Sequence, residues 1–203
     1  MSRKNRWVPN LTLAAWCIAD IIRWAPHLTL EDGVLPFAFL LSLLISFAAM
    51  AFFSLSRPGP TRVDNSAATW LLVILSATLP QCFELLPAQP PNTLSDWVLL
   101  ASGLLLLASV ASLRNRFALL PADRGVVAQG PYRLVRHPIY TSYLLADLTA
   151  WLPAFDPLGA AVWIAEAVLF HYRARAEERL LSQDPAYSRY AEAVPHRFLP
   201  GIL

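Results

Sequence analysis

Charge is scarce in this chain of 203 residues. Asp, Glu, Lys and Arg together make up 15%, where an average soluble domain carries about 25%. Glycine is scarce too, at seven residues, and none falls in a G-x-G-x-x-G or P-loop spacing. That excludes the glycine cradles that hold dinucleotides and phosphates in soluble folds. The two cysteines, Cys17 and Cys82, sit in apolar stretches and form no C-x-x-C, so no disulfide framework and no thiol zinc or redox site is available. There is no G-x-S-x-G elbow and no H-E-x-x-H, and His27, His137, His171 and His196 lack metal-ligand spacing. Hydrolase and metalloprotease readings are therefore poor, and no metal is expected. A net charge of +2 is too small to point to a nucleic-acid partner.

Apolar length is what the chain has instead, with 56% hydrophobic residues. A helix that crosses a bilayer needs about 20 consecutive apolar residues. Residues 34–55 and 97–113 run without a charge. Residues 11–24 are interrupted by Asp20 and Arg23, and residues 69–86 by Pro80, Gln81 and Glu84. The last apolar block divides at 152–157, around Pro153, Asp156 and Pro157. It reads as a hairpin of two short helices, 139–152 and 158–172. The expectation is an all-α integral-membrane fold in a single domain spanning 1–203. It has about six apolar helices, four as membrane elements and the last two as a paired hairpin.

Charge placement orients this bundle. With the N-terminus inside, the inner segments are 1–10, 56–68, 114–138 and 173–203. They hold Arg3, Lys4, Arg6, Arg57, Arg62, Arg124 and nine further arginines, which is 15 of the 16 Lys and Arg residues. The outer connections carry Glu31, Asp32, Asp96 and Asp156, and no Lys or Arg. The positive-inside rule then predicts a multi-pass protein with both termini in the cytoplasm. No small-residue cleavage site follows the first apolar run, so that helix is expected to be retained.

Both long polar segments fall on the cytoplasmic side. In the first, Gly130-Pro131 marks a turn, and Pro138 biases His137 away from helical backbone, to the start of the next helix. Arg133 and Arg136 add positive charge at that helix N-terminus, a setting that suits a carboxylate or phosphate. The plainer alternative is a basic loop that meets lipid headgroups. In the second, Arg173 and Glu177 are four apart and Arg175 and Glu178 three apart, the spacing of ion pairs on a solvated helix. Carboxylates there could instead hold ribose hydroxyls or an ammonium. Tyr187 and Tyr190 are more expected to pack a terminal helix than to touch a ligand. Glu84, Asp147 and Glu166 lie inside apolar helices, where ionisable groups are costly and default to functional candidates. For each, a protonated or hydrogen-bonded structural acid is the alternative.

Taken together, GPYRLVRHPIY at 130–140 and RARAEERLL at 173–181, followed by Tyr187, Tyr190, Val194 and the closing RFLPGI, resemble the signature of isoprenylcysteine carboxyl methyltransferases and bacterial phospholipid methyltransferases. The resemblance covers roughly residues 110–203, with 111–203 as the methyltransferase core and 1–110 as variable N-terminal helices. It implies an integral-membrane enzyme that uses S-adenosyl-L-methionine on a lipophilic small-molecule or lipid acceptor drawn from the bilayer, most like isoprenylcysteine carboxyl O-methylation. The cofactor site would be formed by the 114–138 loop and the C-terminal helices. Carried over by position, Arg173 and Tyr140 are the catalytic residues, and Tyr132, Arg136, His137, Pro138, Tyr140, Glu177 and Glu178 bind the cofactor. Arginine suits the cofactor's carboxylate, glutamate its ribose diol or ammonium, and aromatic faces its sulfonium. Two alternatives stand beside this: an NADPH-dependent membrane sterol- or enone-type reductase, and a non-enzymatic scaffold or transporter. The reductase pattern resembles this one, but has asparagine after the proline and glutamate soon after the tyrosine. Here Ile139 follows Pro138, and Thr141 and Ser142 follow Tyr140.

Overall fold

The computed structural model describes residues 8–56, 62–86, 92–120, 122–123 and 125–201. Arg3, Lys4, Arg6, Arg57 and Arg124 of the charge argument lie outside these residues, as do the side chains of Arg62 and Glu84. Seven α-helices occur among the described residues: α1 (Val8–Trp24), α2 (Val34–Ser56), α3 (Ala67–Thr78), α4 (Thr93–Leu113), α5 (Pro138–Leu148), α6 (Pro157–Leu181) and α7 (Pro185–Ala193).

The helix limits follow from local chemistry. Prolines follow or open the helical turns at Pro26, Pro80, Pro138, Pro157 and Pro185, where their missing N–H and fixed φ do no damage. Side chains cap several N-termini: Ser66 accepts from Thr69 N–H, Asn92 from Leu94 and Ser95, Asp156 from Leu158 and Gly159, and Asp184 from Ala186. Each satisfies backbone donors that the helix itself leaves free.

Two helices, α2 and α4 with its short extension to Arg116, are long and apolar enough to cross a membrane. The expected helix over 69–86 is shorter than read. It stops at Thr78, and Pro80 turns the rest into a 3₁₀ segment, Leu79–Leu85. The hairpin also differs from expectation. α5 has 11 residues and α6 has 25, because the apolar half of α6 continues unbroken into the charged RARAEER block. α5 lies chiefly on α4 and α6 chiefly on α3. The indole N–H of Trp163 donates to the Leu144 carbonyl at 2.8 Å and joins the two arms.

α2 sits between α1 and α4. Both helices carry buried serines. Ser42, Ser46 and Ser54 on α2 and Ser102 and Ser109 on α4 are buried, and each hydroxyl donates to a carbonyl of its own helix. Gly103 faces Ser42 so closely that a Cβ there would lie 2.2 Å from the Ser42 Oγ and 2.9 Å from the Phe39 ring. Small residues let helices approach where lipid supplies no hydrophobic drive between them. The outward side is apolar, with Ile22, Val34, Phe52, Leu104 and Ile164 all exposed. A face of that composition suits hydrocarbon and not water.

The core gathers Leu13 and Cys17 of α1, Met50 of α2, Leu106 and Val110 of α4, Ile139 and Tyr140 of α5, and Phe170 and Ala174 of α6. Two short strands close one end: β1 (Arg62–Val63) pairs antiparallel with β2 (Ala122–Asp123). They bring together the segments after α2 and after α4, both assigned to the inner side by their charge.

Candidate active site

One helix start and one helix end meet here. A 3₁₀ turn, Gly130–Arg133, leads through His137, the N-cap of α5, into Pro138 at its first turn. Gly130 has φ +57° and lies against Ser112, where a Cβ would come within 2.3 Å of the hydroxyl oxygen; glycine meets both demands. Across from this turn, the far half of α6 presents Arg173 and Glu177, one turn apart on one face, and Glu178, turned about 100° from Glu177.

The C-terminal tail crosses between them. The backbone N–H groups of Arg136 and His137 donate to the carbonyls of His196 and Arg197, both at 2.9 Å, and the Thr141 hydroxyl donates to the Phe198 carbonyl at 2.7 Å. Packing of Tyr132, Tyr187, Tyr190 and Val194 fastens α7 beside the turn, and the Tyr190 hydroxyl donates to the Tyr132 carbonyl at 2.8 Å. Burial pushes the phenols of Tyr132, Tyr187 and Tyr190 up, the last to about 12. All three therefore stay neutral donors at physiological pH.

The two glutamates have different surroundings. Glu178 is taken up by two arginines and a histidine. Arg136 Nε donates at 2.9 Å, His137 Nε2 lies at 3.1 Å, and Arg197 reaches it through Nε and Nη2 at 3.0 Å. Burial alone would raise this carboxyl. The hydrogen bonds of His137 and Arg197, with the charge of His137 and the bond from Arg136, outweigh it and hold the group down at about 2. The expected Arg175–Glu178 pair does not form among the described residues; Arg175 is exposed. Arg136 is also engaged through Nη1, which donates to the Val194 and Pro195 carbonyls at 2.8 and 2.7 Å.

Glu177 faces the other way. It accepts a hydrogen bond from the Tyr140 hydroxyl, and its Oε2 lies 3.6 Å from His137 Nδ1. Arg173 is buried. Its Nη1 donates to the Ser76 hydroxyl at 3.2 Å and its Nη2 to the Leu119 carbonyl at 2.7 Å. Its Nε stands 3.8 Å from Glu177 and has no hydrogen-bond partner. The Tyr140 ring is stacked with His137 at 5.5 Å and with Phe170 at 4.8 Å, and the Arg173 guanidinium lies 5.4 Å from it. Its faces are therefore largely occupied by protein, which limits it as a platform for a sulfonium.

A cavity of about 740 Å³ opens from this head into the helical bundle, within the range of small-molecule sites. Tyr132, Arg136, His137, Tyr140, Arg173 and Glu177 line it, as do Tyr187 and Tyr190. Pro138 and Glu178 do not. Deeper, its walls are Leu13 and Cys17 of α1, Leu40, Phe47 and Met50 of α2, and Phe170 of α6.

Sequence reasoning missed Arg197 as an ion partner and Ser76 and the Leu119 carbonyl as holders of Arg173. For Arg197 the signal was its place at the start of the closing RFLPGI.

Residues 97–183 match the model of the isoprenylcysteine carboxyl methyltransferase (ICMT) family. This segment is similar to that family. The matched segment contains both the 130–140 and the 173–181 blocks, while Ser76, α7 and the tail lie outside it. A search of curated proteins found no match. The match is to a family of methyltransferases, and two helices of the chain are long and apolar enough to cross a membrane.

Proposed function

We propose that the chain transfers a methyl group from S-adenosyl-L-methionine to a lipophilic acceptor, with the cofactor at the polar head of the cavity and the acceptor in its apolar depth. The observation that carries this reading is the continuity of the two environments. One cavity joins the donor and acceptor groups of Arg173 and Glu177 to walls of leucine, methionine and phenylalanine.

The residues at the head fit the cofactor. Arg173 Nε is a buried donor lacking a partner, a natural contact for a carboxylate. Glu177, which lines the cavity, suits a hydroxyl or ammonium, and Tyr132, Tyr187 and Tyr190 offer aromatic surface. When bound, S-adenosyl-L-methionine supplies an already activated methyl on a sulfonium, so the protein's task is alignment and exclusion of water. Arg173, fixed by Ser76 and Leu119, serves as the catalytic residue that orients the reacting groups. Tyr140 acts through Glu177, as a positioning residue. Glu178, with Arg136, His137 and Arg197, holds the loop and tail over the head.

The multi-pass topology with both termini in the cytoplasm belongs to this reading, supported by the pairing of the two basic segments through β1 and β2. The test is calorimetry on the purified full chain in detergent. Saturable binding of S-adenosylhomocysteine with no comparable binding of NADPH is expected. The reverse preference would move the protein to the reductase class.

A further inference from the structure

Most tyrosines around the cavity are committed to the head. The Tyr140 hydroxyl donates to Glu177 and the Tyr190 hydroxyl to the Tyr132 carbonyl, and Tyr132 and Tyr187 pack with α7. Tyr143 is different. It lines the same cavity from α5, one turn beyond Tyr140 and about 4.5 Å further along the helix. Its hydroxyl makes no hydrogen bond among the described residues, yet its oxygen is not sealed off by packing. A ligand atom can therefore reach it.

The ring is held while the hydroxyl is left open. Phe170 is buried and stacks on Tyr140 at 4.8 Å and on Tyr143 at 6.0 Å. Tyr143 also packs against the core that contains Leu13, Cys17 and Met50. Phe170 precedes Arg173 by about one turn of α6. The phenol thus stands where the head of Arg173 and Glu177 gives way to the apolar walls. Charge differs on the two sides of this level. Arg173 lies on the head side, while Asp147, one turn past Tyr143, and Asp20 of α1 line the cavity further along. An anionic group is drawn toward the first and repelled by the others.

A ligand that placed only hydrocarbon against Tyr143 would strip the phenol of water and return no hydrogen bond, which is costly. We propose that Tyr143 determines acceptor specificity: its hydroxyl donates to an oxygen at the polar end of the acceptor and holds that end beside the head, with the hydrocarbon tail in the apolar depth. A carboxylate accepts the stronger, charge-assisted bond and is favoured by Arg173, whereas an alcohol accepts a weaker one. This rests on the reading of the cavity as the acceptor site.

The test uses the full chain in non-ionic detergent with ionised dodecanoate and dodecanol as probes. Binding is followed by tryptophan fluorescence, since Trp16, Trp24 and Trp70 line the cavity. The unaltered chain should bind dodecanoate saturably. Tyr143→Phe keeps the ring on Phe170 and removes only the hydroxyl. Its melting temperature and S-adenosylhomocysteine affinity should stay unchanged, while dodecanoate affinity falls about ten- to hundredfold. Dodecanol should lose clearly less, a difference that a merely structural role would not produce. Tyr172→Phe, exposed on α6 and outside the cavity lining, should change none of these. No dodecanoate binding in the unaltered chain, unchanged dodecanoate affinity in Tyr143→Phe, or equal losses for the two probes overturns the assignment. So does failure of Tyr143→Phe to fold, because the fold would then be using the hydroxyl. A chain that binds S-adenosylhomocysteine but ignores the Tyr143 change loses only this residue's role. One in which Tyr143 governs dodecanoate binding but S-adenosylhomocysteine does not bind loses the proposed methyl transfer instead.

Discussion

Arg136 and Glu178 are 42 residues apart in sequence, and Arg136 Nε donates to Glu178 Oε1 at 2.9 Å. Around that bond three segments converge: the turn before α5, the charged half of α6 and the C-terminal tail. His137 extends the arrangement, with Nε2 on Glu178 and Nδ1 toward Glu177. One glutamate is thereby spent on holding the site together, which leaves the adjacent one facing the cavity.

The Glu178 clasp makes a stability prediction. Removing one member of a buried ion network leaves the others uncompensated, at about 3–5 kcal/mol for a full break. Glutamine retains part of the hydrogen bonding, so Glu178→Gln should cost about 2–4 kcal/mol in denaturant unfolding. Arg175→Gln, at an exposed position on the same helix, should stay within about 0.5 kcal/mol. Equal effects would mean that the clasp is a surface feature.

The same carboxylate gives a pH dependence. Glu178 titrates at about 2 in the folded chain against an ordinary value of 4.5. A group depressed by folding stabilises the fold above its unfolded pKa and loses that contribution as pH falls toward the folded one. Thermal stability should therefore drop as pH goes from about 4.5 to about 2. Glu178→Gln should flatten part of that slope, and an unchanged profile in the variant would refute the assignment.

How much of this was legible beforehand depended on the range of the forces involved. α2 and α4 could be read from uninterrupted apolar runs, since nothing local opposes a helix there. The interruption at Pro80 was read, but the helix was still carried to residue 86, whereas it ends at Thr78. The two blocks at 130–140 and 173–181 located the head of the site. Which glutamate faces the cavity was not readable. It depends on Arg197, 19 residues from Glu178, and on Arg136, and only the path of the tail brings them together. The expected Arg175–Glu178 pair failed for the same reason, since helical spacing alone is blind to stronger partners from elsewhere.

Packing at Gly103 can be tested directly. A side chain there must displace Ser42 or the Phe39 ring, and overpacking of this kind costs about 1–3 kcal/mol. Gly103→Val should lower the melting temperature in detergent well below that of Leu104→Val, a change at a neighbouring residue exposed on α4. Similar melting temperatures would show that α2 and α4 separate easily.

Orientation can be read with two single cysteines in a background where Cys17 and Cys82 are replaced by serine. Gln129 and Glu31 are both exposed and lie in segments assigned to opposite sides by charge. Gln129→Cys should react only with a reagent given to the cytoplasmic side, and Glu31→Cys only with one given outside. Labelling of Gln129→Cys from outside intact cells would invert the topology.

The head of the cavity gives the last prediction. If Glu177 and Arg173 were only an ion pair, Glu177→Gln would scarcely change cofactor-product affinity, because such pairs contribute a few tenths of a kcal/mol. A charge-assisted hydrogen bond from the ligand to Glu177 would instead be worth about 1.5–3 kcal/mol, which is roughly ten- to hundredfold in affinity. Calorimetry with S-adenosylhomocysteine should show a loss of that size in Glu177→Gln. His137→Ala should also weaken binding, since its ring touches both glutamates and stacks on Tyr140. Its melting temperature should fall as well, because it belongs to the Glu178 clasp. Glu177→Gln should lose less of its melting temperature, since Glu177 meets the Arg173 guanidinium only at 3.8 Å, where Glu178 is held by two arginines and His137. Arg189→Ala, exposed on α7, should change neither quantity. Wild-type affinity in both folded variants, Glu177→Gln and His137→Ala, would remove these two residues from the cofactor site.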